Sequence, residues 1–143
     1  MAGPNTEPVF SRVADVQWIG QITAAHNVID LTSGTSYLAF TADATNGGFV
    51  RNARVKVNPA NNSAATVVRF WLNNGSTTGT AANSAIIGEL GLPATTATAT
   101  GALPDFDYPL NFALPAGYKI YVTAGTAPGG SCELTVTVFG GKY

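Results

Sequence analysis

The sequence predicts an all-β fold, and three observations support this prediction. Apolar segments of strand length recur along most of the 143 residues. Turn residues separate them, as at Gly47-Gly48, Asn73-Asn74-Gly75 and Pro115-Ala116-Gly117. No long segment has the periodicity of an amphipathic helix. A series of about eight short strands with turns between them is typical of a β-sandwich or a β-barrel.

The first half of the chain contains four segments of this kind. "QWIGQI" (17–22) and "HNVIDL" (26–31) are short and apolar enough to form strands. "SYLAFTA" (36–42) follows a Ser-Gly turn signal, and "FVRNARVKVNP" (49–59) ends in a proline, which cannot donate to a β-ladder.

The second half continues the pattern. Strands are predicted at 65–72, 84–93, 108–114, 118–124 and 132–140, because each is apolar and bounded by Asn, Gly or Pro. The run "ATTATATGA" between the second and third of these is compatible with an edge strand or with a long loop.

Side chains alternate across a strand, so every second residue of a segment should face the core. Cys132, the only cysteine, has the inward parity of the last strand and is expected to be a buried apolar group. The other predicted core residues are Leu38, Phe40, Val55, Val57, Val68, Phe70, Leu72, Leu110, Phe112, Leu114, Tyr118, Ile120, Val122, Leu134, Val136 and Val138.

The N-terminal residues differ from the rest of the chain. Residues 1–15 lack periodicity and contain Pro4 and Pro8, so they are expected to form an extended arm. Residues 16–143 are expected to form one domain, a size that buries roughly two thirds of the unfolded chain's surface. The first residues have neither the charged start nor the apolar segment of a signal peptide, so we expect synthesis in the cytoplasm.

The surface is expected to be poor in charge. Only 10% of the residues are charged, against about 25% in an average soluble domain. Such a surface is easily desolvated, which suits a protein that lies against other subunits. The alternative is a virion or secreted β-domain in which threonine-rich surfaces follow from strand propensity alone.

Net charge and hydropathy argue against two classes of partner. The formal net charge is −1, so the chain has no basic field for nucleic acid or for an anionic membrane. The apolar runs are far shorter than the ~20 residues of a membrane helix. We therefore expect neither a nucleic-acid nor a membrane partner.

No motif predicts catalysis, a cofactor or a metal. His26 is the only histidine, and no Gly-x-Ser-x-Gly elbow is present, so a solvated or hydrogen-bonded histidine is expected. Asp105 and Asp107 share a strand face, but one pair supplies too few oxygens for calcium. We interpret this pair as solvated and the chain as a non-enzyme.

Three large aromatic residues are predicted on outer strand faces, opposite the core: Trp71, Tyr121 and Phe139. Exposed aromatic patches mark binding surfaces. Two other interpretations are that the arm or loops of the same chain cover these rings, or that the rings form a platform for sugars.

The positive charges cluster as well, with Arg51, Arg54 and Lys56 in one predicted strand and Arg69 in the next. Arg54 and Lys56 share one strand face, and Arg69 precedes Trp71 by two residues in the next predicted strand. They form either a solvated face that prevents edge-to-edge aggregation or the polar rim of an aromatic interface.

Three stretches together resemble the jelly-roll cement (decoration) proteins of tailed-bacteriophage capsids. They are "RVKVNPANNSAATVVRFWLNNGS", "GELGLPATTATATGALPDFDYPLNFALPAGYKIYVTAG" and the terminal "TVFGGKY". The resemblance covers about residues 36–143 and leaves the first 15 residues outside.

The resemblance implies an eight-stranded antiparallel jelly-roll without enzymatic activity or cofactor. It implies a homodimer or homotrimer on the outer capsid surface of the virion, where the protein staples neighbouring major capsid proteins. In that interpretation Trp71 and Arg69 face a sister subunit or the shell. The alternative is a carbohydrate-binding β-sandwich module of a phage fibre or lectin-like protein.

Overall fold

The computed structural model describes residues 11–26, 28–58 and 62–143, which form eight strands and one short 3₁₀-helix. Residues 1–10, most of the predicted arm, lie outside the described residues. The strands are β1 (Val13–Ile22), β2 (Tyr37–Thr41), β3 (Gly48–Asn58), β4 (Thr66–Asn73), β5 (Ser84–Leu92), β6 (Asp105–Leu114), β7 (Lys119–Ala124) and β8 (Glu133–Lys142). The 3₁₀-helix is Ala81–Asn83, just before β5.

The strands form two four-stranded antiparallel sheets. The first sheet has the order β1-β8-β3-β6 and the second the order β2-β7-β4-β5. This arrangement is the jelly-roll topology, in which the chain passes back and forth between two facing sheets. The predicted eight-stranded antiparallel β-sandwich is confirmed, and the barrel alternative is not adopted.

The core lies between the two sheets and is built from the inward side chains of each strand. Ile120 and Val122 of β7 and Val136 and Val138 of β8 are fully buried, as their alternation predicts. Cys132 is 2% exposed, which confirms its predicted burial.

Leu38 does not face the core, which corrects its predicted position. The register between β2 and β7 shifts between Leu38 and Phe40. A bulge of this kind breaks the alternation. Ala39 and Phe40 are consequently both buried, and Leu38 is 42% exposed.

The domain begins earlier than predicted. β1 starts at Val13, which pairs with Lys142, and Asp15 lies 3.9 Å from the Lys142 ammonium. Residues 13–15 therefore belong to the sheet rather than to the arm, because their backbone pairs with β8.

In two segments for which the sequence allowed a strand, "HNVIDL" and "ATTATATGA", the described residues lie in loops. In the predicted strand 26–31, the described residues 26 and 28–31 lie in the β1–β2 loop, which follows the bridge between Ala25 and Ala124. The segment 94–102 belongs to the β5–β6 loop and is tied down by one bridge between Thr95 and Ser63.

The sandwich is joined on one side and open on the other. Between β1 and β2, the Gln17 amide donates to Thr41 O at 2.9 Å and accepts from Thr41 N–H at 2.9 Å. Between β5 and β6 an apolar cleft of about 310 Å³ remains. Its lining residues are Leu72, Ile87, Tyr108, Pro109, Leu110 and Phe112.

Candidate binding surfaces on the two outer faces

The six residues predicted to form one interface lie on opposite faces of the sandwich. Phe139, Arg54 and Lys56 have the outward parity of the first sheet. Arg69, Trp71 and Tyr121 lie in β4 and β7, on the outward side of the second sheet. A single flat partner cannot contact both groups, because the core separates them.

Trp71 is on an outer face, as predicted, but it is not exposed. Its exposed fraction is 2%, and its indole Nε1–H donates to Thr123 Oγ1 at 3.0 Å. Thr123 is itself 1% exposed. The prediction that the Trp71 ring is available to a partner is therefore wrong, since other parts of the same chain bury it.

The β1–β2 loop is hydrogen-bonded to the same sheet. Its residues His26 and Leu31 are 1% and 4% exposed, and both lie outside the main core cluster. Backbone N–H of His26 donates to Ala124 O at 2.7 Å. The loop is thus attached at the end of β7, next to the strand that carries Trp71.

Arg69 connects this loop to the sheet. Its Nη1 donates to the backbone oxygen of His26 at 3.4 Å, and its Nε lies 2.7 Å from Glu89 Oε1. The Arg69 side chain is 23% exposed and that of Glu89 is 53% exposed. Arg69 holds the loop and forms one polar border of this face.

Apolar side chains cross the whole second sheet in one register row, which we call the sheet-two row. Tyr121 pairs with Leu38 on one side and with Trp71 on the other, and Trp71 pairs with Ile86. Leu38 and Ile86, on the two edge strands, are 42% and 48% exposed. The ends of the row are exposed and Tyr121 is half-buried, whereas Trp71 is buried.

The outer face of the first sheet is more polar. The Arg54 guanidinium donates to both carboxylate oxygens of Asp107, at 3.1 and 3.2 Å, and Lys56 Nζ lies 2.7 Å from Asp105 Oδ1. Arg54 also lies over the Phe139 ring, 5.9 Å from its centroid. Arg54 thus contacts Phe139, and the carboxylates that pair with Arg54 and Lys56 come from the same chain.

These contacts change the titration of the two carboxylates. The hydrogen bond and charge of Arg54 lower the pKa of Asp107, and the hydrogen bond from Lys56 lowers the pKa of Asp105. Both groups remain well exposed, with side-chain accessibilities of 47% and 43%. The pair is solvated, as predicted, and it lies in β6.

Sequence reasoning missed Trp18, the most exposed aromatic residue of the sheets. Trp18 is 70% exposed and Val16 on the same face of β1 is 45% exposed. The alternation with Ile19, which packs against the core, could have placed Trp18 outward. The signal was weak because the inward neighbour on the other side is the polar Gln17.

His26 is buried, which corrects the expectation of a solvated or hydrogen-bonded histidine. Neither ring nitrogen has a hydrogen-bond partner among the described residues. Gly34 lies against the ring, since a Cβ there would stand 2.8 Å from His26 Cδ2. The histidine fills space beneath the loop.

Within residues 11–26, 28–58 and 62–143, no three His, Cys, Asp or Glu side chains are close enough together to hold a metal ion. The same residues contain no helix long and apolar enough to cross a membrane.

The chain matches no protein-family model, and no curated protein matches its sequence. The solved structures to which the chain is similar include two from infectious bursal disease virus. One is a structure of the infectious bursal disease virus Gx strain, at 16% identity and a TM-score of 0.36. The other is of the Gt strain, at 14% identity and a TM-score of 0.30. Each match covers 97% of this chain and 36% of the other chain. The fold assignment rests on the strand order and register of this chain.

Proposed function

We propose that this protein is a structural component of a virion, a capsid cement (decoration) protein. It oligomerises on the outer capsid surface and staples neighbouring major capsid proteins, which stabilises the head. The observation that carries the proposal is the sheet-two row, with Leu38 and Ile86 exposed at its two ends.

The row has the layout of a protein-binding surface. Three strand spacings of ~4.8 Å separate β2 from β5, so its exposed ends are about 14 Å apart. The Arg69–Glu89 ion pair borders it. An apolar centre with a polar rim is the usual anatomy of a protein interface.

The buried Trp71 does not contact the partner in this proposal, but it keeps the binding surface rigid. The buried indole, hydrogen-bonded to Thr123, lies beside Ile86 in the same row and holds this part of the face in place. A surface held rigid before binding loses less side-chain entropy when a partner docks. Trp71 is thus a support for the interface rather than its contact residue.

A cement protein gains affinity from several weak contacts made at once. Joining subunits into a homodimer or homotrimer makes the second and third contacts with the shell intramolecular. The partners in this proposal are the major capsid protein and further copies of this chain, with no nucleic acid and no membrane. The protein acts by binding, without catalysis or cofactor, and it is made in the host cytoplasm.

The test is to strip heads of the virus that encodes the protein, add the purified protein back and count bound copies by cosedimentation. The double variant Leu38→Ser/Ile86→Ser should lower occupancy at least tenfold, because both exposed contacts are lost. Light scattering over a concentration range should give a dimer or trimer for the wild type.

A matched control is Val16→Ser, which changes a similarly exposed apolar residue on the opposite face. It should leave occupancy unchanged. Absence of the protein from purified virions, or full occupancy by the double variant, would overturn the proposal.

A further inference from the structure

The outer face of the first sheet carries a second row of a different character. Trp18 pairs with Thr137, Thr137 with Arg54, and Arg54 with Asp107. Paired residues point to the same side of a sheet. An exposed aromatic ring, a hydroxyl, a guanidinium and a carboxylate therefore follow one another across all four strands, and we call them the Trp18 row.

The polar half of the row offers donors and acceptors side by side. Arg54 uses Nε and Nη2 on Asp107, which leaves other guanidinium N–H groups available. Asp107 Oδ1 also accepts from the Asn52 amide at 3.2 Å, while Oδ2 retains lone-pair capacity. The side chains of Arg54 and Asp107 are 45% and 47% exposed.

We propose that the Trp18 row binds a neutral glycan, with one pyranose ring stacked on Trp18 and hydroxyl groups on the Arg54–Asp107 pair. The C–H face of a pyranose is apolar and matches an exposed indole, while its hydroxyls both donate and accept. A row about 14 Å long, three strand spacings of ~4.8 Å, accommodates a linear stretch of about three sugars.

The charge of this face favours a glycan over a protein or a polyanion. The opposite charges of Arg54–Asp107 and Lys56–Asp105 are already paired within the chain, so little free field remains to attract a charged polymer. A flat apolar protein surface would have to strip water from both ion pairs, which is unfavourable. Sugar hydroxyls replace that water with hydrogen bonds of the same kind.

The glycan site goes beyond the proposed capsid role and does not depend on it. The Trp18 row and the sheet-two row lie on opposite faces of the sandwich. When the second sheet lies against a shell, the first sheet faces outward. A cement subunit could then also attach the particle to a polysaccharide.

The two tryptophans make a direct test possible by NMR. In the full chain, titration with cellohexaose or mannohexaose should shift the indole N–H signal of Trp18. The Trp71 indole signal should stay fixed, because that N–H is buried and bonded to Thr123. Calorimetry should show that Trp18→Ala weakens the binding of the responding hexaose roughly tenfold or more, whereas Trp18→Phe, which keeps a ring, loses less.

Further variants separate this proposal from the capsid role. Leu38→Ser/Ile86→Ser should bind the hexaose normally, and Asp107→Asn should weaken it severalfold. The proposal is overturned if neither hexaose moves the Trp18 signal, if only an acidic oligogalacturonate does, or if Trp18→Ala binds as well as the wild type. A Trp18→Ala variant that changes the solution mass without any glycan effect would assign the face to a second copy of the chain.

Discussion

The hydroxyl of Tyr108 in β6 occupies the space that a Cβ on Gly88 in β5 would need. Tyr108 reaches from one sheet to the other, stacks on Phe70 with ring centroids 4.7 Å apart, and donates to Ile87 O at 3.4 Å. On the open side of the sandwich, where β5 and β6 are not paired, this side chain is the bridge between the sheets.

Gly88→Ala should therefore destabilise the domain by about 1–3 kcal/mol, because the new methyl group forces the Tyr108 ring to move. Urea denaturation would measure the change. Gly91→Ala in the same strand is the control, since a Cβ there meets no atom within 4 Å. Equal stability of the two variants would show that Tyr108 does not need the space at Gly88.

At the opposite edge, between β1 and β2, the Gln17 side-chain amide connects the two sheets. It forms hydrogen bonds with both the N–H and the carbonyl oxygen of Thr41. Gln17→Ala should lower the free energy of unfolding by about 1–3 kcal/mol, since it leaves both backbone groups without this partner. It should also speed hydrogen exchange at the Thr41 amide. Gln17→Glu keeps an acceptor for that amide, so it should protect the Thr41 N–H better than Gln17→Ala does.

Trp71→Ala should destabilise the domain by about 3–5 kcal/mol, the range for truncating a large buried aromatic side chain. Trp71→Phe should cost less, because it keeps much of the ring and loses mainly the hydrogen bond to Thr123. Thermal unfolding of the two variants would test this order. A Trp71→Ala variant as stable as the wild type would mean that the buried indole does not contribute to the stability of the domain.

The alternation of side chains predicts which residues are buried only where a strand is regular. Alternation places Val55, Ile120 and Val136 correctly, because their strands are regular around these positions. It fails at Leu38, since a bulge changes the parity and leaves no mark in the composition. It also places Trp71 on the correct face without indicating that the ring would be buried there.

The candidate surfaces were harder to predict for the same reason. Face assignments within one strand are local, but which faces lie together depends on the strand order. The association of Arg54 with Asp107 joins β3 to β6, and Trp18 becomes part of the same surface only because β1 and β8 complete that sheet. A single sequence gives no direct signal for such long-range pairing.

The Arg54–Asp107 and Lys56–Asp105 pairs predict a crossed effect on carboxylate titration. Asp107 owes its lowered pKa first to the hydrogen bond from Arg54, and Asp105 owes its lowered pKa first to the one from Lys56. Arg54→Met should therefore raise the pKa of Asp107 more than that of Asp105. Lys56→Met should raise the pKa of Asp105 and leave that of Asp107 nearly unchanged.

The sign of the stability effect follows from these directions. A carboxylate whose pKa is lower in the folded than in the unfolded chain stabilises the fold when the pH is above its ordinary pKa of 3.8. This contribution is lost as the pH falls through the folded-state pKa. The wild type should lose stability below about pH 4, and Asp107→Asn should lose less over the same interval. NMR titration of the carboxyl carbons, combined with urea unfolding at several pH values, would measure both effects. Parallel shifts of Asp105 and Asp107 in both Met variants would contradict the pairing and indicate one shared field across the four charges.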